Sequence, residues 1–356
     1  MRFAGRLVAL ALLAALFTIG RLVALALLTA LSTIRFAKLF TIQIDIVNIG
    51  PIVNSRHRSA PSPVRGRMGG GGDPMSASFV STRRFGDAKV SIISDGSGKS
   101  VIVKQLEVPE AVWRPAVPDA DAEGEVVLGY NVALVEIGAA RVLIDLGFDE
   151  PSPASPWKAP RHQRSPGLEA GLAALGTRPE DVSHVLITHA HGDHVAGGSV
   201  EGDGARQPRF RRARHLIHRL DWEGNPARQD PDSMLSRHLG PVERAGQLEP
   251  VDGDREAVPG VTLIHAPGES PGHAIVRVES GAERFYFLGD LFHHPCEVEH
   301  LDWVSRGRDQ PAMERSRRRL IAEAVPANAS LVFSHRPFPG WGRIVARGDG
   351  QRWIDG

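Results

Sequence analysis

The heptapeptide Thr188-His189-Ala190-His191-Gly192-Asp193-His194 sets three imidazoles and a carboxylate within six residues, in the spacing His-x-His-x-Asp-His. Imidazole nitrogen and carboxylate oxygen are the donors that borderline metals such as zinc prefer. A continuous helix sets His189 and His191 on different faces, and a continuous strand sets Asp193 and His194 on opposite ones. The run is therefore expected to be an irregular loop that turns all four side chains toward one centre. Val182, Val185, Leu186 and Ile187 precede it and predict a short buried strand over 182–188. That puts the cluster at a strand's carboxyl end, where functional loops of layered α/β folds lie. A chance His-rich surface turn is the bland alternative.

Four ligands on one loop do not close two metal shells, so distant segments are expected to contribute. His273 ends the turn Ala266–His273 after the strand-like Val261–Ile264. Asp290 ends the apolar run Phe285–Gly289, and His335 ends Leu331–Ser334 before the turn Pro337-Phe338-Pro339-Gly340. In each case an apolar segment delivers one polar residue to its terminus. That repetition argues for convergence on a single site.

Together with Leu143-Ile144-Asp145-Leu146-Gly147, these motifs resemble the metallo-β-lactamase-fold hydrolases over roughly residues 91–344. The resemblance implies an α+β fold, a four-layer αββα sandwich with the metal site at one edge. It implies one divalent ion held by His189, His191 and His273 and a second held by Asp193, His194 and His335. Asp290 would bridge the two, with zinc the first choice of metal. Asp145 matches a supporting position that hydrogen-bonds to the site, and Asp193 also matches a catalytic proton relay. Glu269 departs from the pattern, because many relatives carry a histidine there; that position is usually not a ligand, so an altered hydrogen-bond shell is expected. The Asp290–Pro295 and His335–Gly342 stretches resemble the methyl parathion hydrolase-like and quorum-signal lactonase-like branches. The implied function is a hydrolase that uses a metal-bridging hydroxide on a small-molecule ester or lactone, or on an organophosphate triester. A thioester hydrolase of the glyoxalase II type is one alternative, and a membrane-tethered degenerate binding protein is another. A serine nucleophile elbow is not expected.

Composition narrows the classes further. The single cysteine, Cys296, rules out an intramolecular disulfide and a multi-cysteine zinc site, and it reads as an apolar filler. Residues 1–75 hold nine Lys+Arg and two Asp+Glu, leaving 33 basic and 39 acidic residues over 76–356. That excess of acid does not suggest a nucleic-acid partner. The run Arg209–Arg214 reads as a solvated basic face.

The N-terminal portion is a near-duplicate: Gly5–Ile19 and Gly20–Ile34 differ at two of fifteen positions. Three readings of this hydrophobic segment, residues 1–54, stand open: an export signal or membrane anchor, translation from too early a start, or a helical hairpin. Residues 55–75 read as a disordered linker, and 76–356 as the catalytic domain with Met75 resembling a natural start. A cytoplasmic location follows if the chain begins at Met75, and an exported or anchored one if 1–54 is genuine.

Within the catalytic region, strands are expected at 89–93, 126–137, 141–145, 214–219, 261–265, 274–279 and 284–288, and helices at 167–175 and 310–324. Asp221 is expected to cap a helical turn, and 225–247 to form an insertion over the site entrance. His293, His294, Phe338 and Trp341 are the expected substrate-pocket residues, and His184 is read as structural.

Overall fold

The computed structural model describes residues 79–148 and 163–356. The segment 1–54, the linker 55–75 with Met75, and His162 lie outside the described residues. The strands in chain order are β1 (Val80–Phe85), β2 (Ala88–Ser100), β3 (Val126–Ile137), β4 (Ala140–Ile144), β5 (His184–Ile187), β6 (Ser199–Glu201), β7 (Arg206–Pro208), β8 (Arg214–His218) and β9 (Leu248–Val251). They continue with β10 (Arg255–Val258), β11 (Val261–His265), β12 (Ala274–Ser280), β13 (Glu283–Phe287), β14 (Ser330–Val332), β15 (Gly342–Arg347) and β16 (Gly350–Asp355). One seven-stranded sheet runs β1-β2-β3-β4-β5-β8-β9, and the other runs β10 to β16 in chain order.

Period-two alternation decides which way each residue faces. In the first sheet Val90, Ile92, Ala133, Val135, Val142, Ile144, Leu186 and Leu216 point inward, where they meet Leu263, Val276, Phe285, Phe287 and Val332 of the second. Their neighbours Ile93, Leu134, Leu143, Val185, Ile187 and Ile217 point outward and pack under the helices Leu168–Ala174 and Met234–Arg244. On the far side Ile264, Ile275, Tyr286 and Leu331 pack under Gln310–Ala324. The result is helix, sheet, sheet, helix, the αββα order expected. Each fully buried aliphatic or aromatic side chain here contributes roughly 1.5–3 kcal/mol.

Direction within the sheets places the site. β4, β5, β8 and β9 are mutually parallel, as are β13 and β14. Parallel neighbours need a crossover: Leu168–Ala174 lies between β4 and β5, Met234–Arg244 between β8 and β9, and Gln310–Ala324 between β13 and β14. The carboxyl ends of β4, β5 and β8 therefore lie along one edge. The amide of Ala274 donates to the Thr188 carbonyl at 2.8 Å, joining the second sheet to the end of β5 at that edge.

Two local expectations change. β2 runs to Ser100, past the expected end at residue 93, because a register shift between Ser94 and Ser97 absorbs its polar residues. The segment 225–247 is chiefly a helix, Met234–Arg244, whose N-cap Ser233 accepts the Ser236 amide at 3.1 Å. Its Leu235, Leu239 and Val242 are buried in the core, so it is part of the scaffold. No described helix is long and apolar enough to cross a membrane.

Two histidines of the scaffold make stability depend on pH. Burial lowers His215 to about 4, and burial followed by the charges of Arg206, Arg237 and Arg209 lowers His238 to about 3. Both are depressed below an unfolded value near 6.5, so the unfolded chain takes up protons first as pH falls. Stability is expected to be fully present above about pH 6.5 and to fall toward pH 4 by about 1.4 kcal/mol per pH unit for each group. Denaturant melts of the wild type and His215→Gln between pH 7 and 4 check this; an unchanged pH slope in the variant rejects the assignment.

Candidate metal centre

The site starts from Asp145, the first residue past β4. Its backbone sits at φ 62°, a left-handed conformation that costs a non-glycine residue about 1–3 kcal/mol. Its buried carboxylate accepts from the Thr188 amide at 2.7 Å through Oδ1. Through Oδ2 it accepts from the Thr188 hydroxyl at 2.8 Å and from His194 Nδ1 at 2.7 Å. Fixing the proton on Nδ1 turns the lone pair of His194 Nε2 inward. The His-x-His-x-Asp-His run is a loop only through His191. Gly192–Val195 is one helical turn, which carries Asp193 and His194.

The distant histidines are fixed in the same way. His273 Nδ1 donates to the Ala266 carbonyl at 2.9 Å, and His335 Nδ1 donates to the Gly129 carbonyl at 3.0 Å. His335 Nε2 is then directed at Asp290 Oδ2, 3.1 Å away, and at Asp193 Oδ2, 3.5 Å away. His189 Nε2 lies 3.5 Å from Asp290 Oδ2 and 2.8 Å from His191 Nδ1. Asp290 Oδ1 lies 3.3 Å from His194 Nε2. The carboxylate of Asp290 thus stands among His189, His194 and His335. His273 Nε2 accepts the Asp290 amide at 3.0 Å. Gly289 permits this approach: it sits at φ +51, and a Cβ there would come within 2.8 Å of His273 Nε2 and 2.9 Å of Thr188.

The donor set fits divalent ions. His194 Nε2 and Asp290 Oδ1 are buried without a hydrogen-bond partner although they face each other. Ligand atoms of Asp193, His194 and His335 lie within 4.8 Å of one another, as do those of His189, His191, Glu269 and Asp290. Unpartnered buried donors in one cluster are costly unless a cation completes them.

The electrostatics follow from packing imidazoles around carboxylates. Burial pushes His189 and His273 down, and His194 and His191 push His189 further. Burial opposes charge on His194 too, but Asp290, Asp193 and Asp145 together hold it well above the usual histidine range. His335 is raised against its burial by Asp290 and Asp193. Burial works against the Asp290 carboxylate, yet His335, His194 and His189 hold it well below the usual range.

Among the expected pocket residues only His293 reaches this cluster. Its Nε2 lies 3.4 Å from Asp290 Oδ2, and its ring stacks on His335 at 5.5 Å. His294 instead pairs with Asp119 at 3.0 Å and lines a separate cavity of about 500 Å³ with Cys296 and Arg336. Trp341 is not a pocket wall. It is 2% exposed in the inter-sheet core against Phe85 and Phe285, and its Nε1 donates to Ser81 Oγ at 2.9 Å. Phe338 packs partly against the same core and otherwise lines a cleft with Phe79, Gln163 and Pro337, without any of the expected metal ligands. Trp341 lies just before β15, and the turn leading into that strand delivers the ring between the sheets.

Three residues at the site escaped the sequence reading. Tyr130, between the two apolar halves of β3, packs edge-on against His335 at 5.5 Å, and burial with Asp193 and Asp290 pushes its phenol up to about 12. Asp221 caps no helix. It lies inside the turn Arg219–Trp222, and its carboxylate accepts the amides of Ala190 at 2.9 Å and Gly272 at 2.7 Å and the Ser270 hydroxyl at 2.7 Å. It therefore ties the His189–His191 loop to the turn carrying His273. Arg317 is 1% exposed and pairs with Glu297 at 2.6 Å, while Glu297 accepts the His293 amide at 3.1 Å. Gly268–Gly272 spells Gly-x-Ser-x-Gly, the pattern of a serine nucleophile elbow. Ser270 gives its proton to Asp221 and no histidine activates it, so geometry, and not a missing motif, argues against a nucleophile.

Residues 126–335 match the sequence model of the metallo-beta-lactamase superfamily. The chain belongs to that superfamily. Among curated relatives, a "Probable metallo-hydrolase" from Mycobacterium bovis is 30% identical over 194 residues, covering 48% of this chain and 58% of that one. The chain thus spans little more than half the length of that relative. An "N-acyl homoserine lactonase" from a Bacillus species is 31% identical over 109 residues, 31% of this chain and 38% of that one. Two solved structures share the metallo-beta-lactamase fold. The "hydrolase AbOPH in beta lactamase superfamily" has a TM-score of 0.67 at 22% identity, covering 79% of this chain and 98% of that one. AidC, titled a dizinc quorum-quenching lactonase in complex with a product, has a TM-score of 0.63 at 20% identity, covering 78% and 97%.

Gly289→Ala tests the packing of this superfamily site. The added methyl meets His273 and Thr188 at a positive φ, so a loss of about 1–3 kcal/mol is expected, together with weaker retention of divalent metal. Thermal unfolding with and without chelator reads both effects, and a variant that melts and responds to chelator like the wild type contradicts the crowding.

Proposed function

We propose that this chain is a dinuclear metal-dependent hydrolase of small-molecule esters or lactones, with organophosphate triesters as a further substrate class. The observation that carries the reading is Asp290, whose two oxygens face His189, His194 and His335 at 3.1–3.5 Å. His189, His191 and His273 would hold one ion, Asp193, His194 and His335 the other, with Asp290 shared and zinc the first choice. Divalent ions supply Lewis acidity for a carbonyl or phosphoryl oxygen and lower the pKa of water toward about 7.

The chain's own groups do the positioning. Asp145, Ala266 and Gly129 each take the Nδ1 proton of one imidazole, so Nε2 is the atom turned toward the site, and that of His273 accepts the Asp290 amide. The Asp193 side chain is 17% exposed and lies at the rim of the cluster, placed to pass a proton between substrate and solvent. Tyr130 keeps its proton at neutral pH, being raised, and so is a hydrogen-bond donor beside His335. Lactones come first because sequence relatives bear the name N-acyl homoserine lactonase and a structural neighbour was solved with a lactone-derived product.

Purified protein is expected to carry close to two equivalents of divalent metal by elemental analysis; a value that stays near one under metal-replete conditions removes the dinuclear reading. Asp290→Ala should lower turnover of the best lactone, aryl ester or phosphotriester by at least ~10²-fold. His184→Ala should cost far less, since His184 is only half-buried and bonds Ser183. The reverse ranking would refute the site assignment.

A further inference from the structure

Glu269 occupies a position in the centre that the superfamily motif does not assign to it. Its side chain is fully buried, and Oε1 lies 3.3 Å from His191 Nδ1. That nitrogen is the one facing His189 Nε2 at 2.8 Å, so the carboxylate enters the space where both imidazoles direct their lone pairs. Neither Glu269 oxygen has a hydrogen-bond partner. Arg308 Nη2 is 2.6 Å from Oε1 but out of hydrogen-bond alignment, and His293 Nε2 is 3.8 Å from Oε2. A buried carboxylate whose oxygens make no hydrogen bond is incompletely compensated even beside Arg308 and His293. A cation among His189, His191 and Asp290, whose ligand atoms share the same 4.8 Å cluster, would complete it.

We propose that Glu269 is an oxygen ligand of the ion held by His189 and His191, with Arg308 as its competing charged partner. This inference rests on the metal-centre reading above. The turn that carries Glu269 is braced for the task, because Ser270 and Gly272 both bond to Asp221, which also holds Ala190 in the opposing loop. A second carboxylate beside that ion makes its shell richer in oxygen. Oxygen-rich shells favour harder ions such as Mn²⁺ relative to Zn²⁺ more than an all-imidazole shell does.

The test uses the full chain, metal-stripped and reloaded with Co²⁺, Zn²⁺ or Mn²⁺, with chelator competition and the visible Co²⁺ spectrum as readouts. Glu269→Gln keeps the shape and removes the charge. It is expected to weaken retention of one of the two ions by about 10- to 100-fold, more for Mn²⁺ than for Zn²⁺, and to shift the Co²⁺ bands. Arg308→Met frees the carboxylate toward the ion and is expected to shift the Co²⁺ bands without lowering metal affinity. If Glu269→Gln does not fold by circular dichroism, Arg308→Met decides alone. Wild-type metal affinity and an unchanged Co²⁺ spectrum in the folded variants overturn the role of Glu269 while leaving a two-ion centre intact. A wild-type chain that binds no Co²⁺ overturns both readings.

Discussion

The carboxylate of Asp145 is the constraint on which the rest of the site depends. It receives three hydrogen bonds, two from Thr188 and one from His194, and so joins the end of β4 to both ends of the histidine-rich run. Its left-handed backbone is tolerated because those bonds offset the strain. The same bond that braces the loop also fixes the His194 tautomer. Structural support and ligand orientation are therefore one interaction, which is why a buried, oxygen-only acceptor is needed there.

Around that anchor the two sheets contribute by different means. The first sheet supplies parallel strand ends, so Asp145 and the 188–194 run emerge side by side from β4 and β5. The second sheet supplies His273, Asp290 and His335 from the turn before β12 and from the ends of β13 and β14. Because β13 and β14 are parallel, Asp290 and His335 leave the sheet in the same direction. Backbone bonds then stitch the sheets at the centre. Asn131 and Gly129 of β3 donate to Ser334 and His335, and Ala274 donates to Thr188. The site is a seam between layers, and its geometry depends on the inter-sheet core behind it.

Much of this was legible in the chain because it follows from period-two alternation and from polar residues that stop apolar runs. The convergence of His189, His194, Asp290 and His335 is of that kind, as are the helices Leu168–Ala174 and Gln310–Ala324. What was not legible depends on contacts between segments distant in sequence. Asp221 reads as a helix cap because acids cap helices locally; only the packing of the 266–273 turn against it reveals three acceptor bonds. Trp341 reads as a pocket wall because it follows His335 closely, yet the turn after His335 sends it between the sheets. Tyr130 carries no local signal beyond a polar interruption in β3. Glu269 reads as an outer-shell change until the fold sets its oxygen beside His191.

Charge balance explains why these late arrivals matter. Asp193, Asp290 and Glu269 bring three carboxylates into one largely buried cluster with six imidazoles, those of His189, His191, His194, His273, His293 and His335. Without bound cations, protons must do the balancing, and they do so unevenly: His194, His293 and His335 are raised while His189 and His273 are lowered. His293 is raised despite burial because Glu269, Asp290 and Glu297 face it, and Glu297 is in turn held by Arg317. A chain of alternating charge thus runs from Arg317 through Glu297 and His293 to Asp290. Divalent ions entering the cluster would displace protons from His194 and His335 and take over the same carboxylates. The buried Arg317–Glu297 pair is not among those ligands, so it keeps the segment 291–297 in place whichever cation, proton or metal, neutralises Asp290.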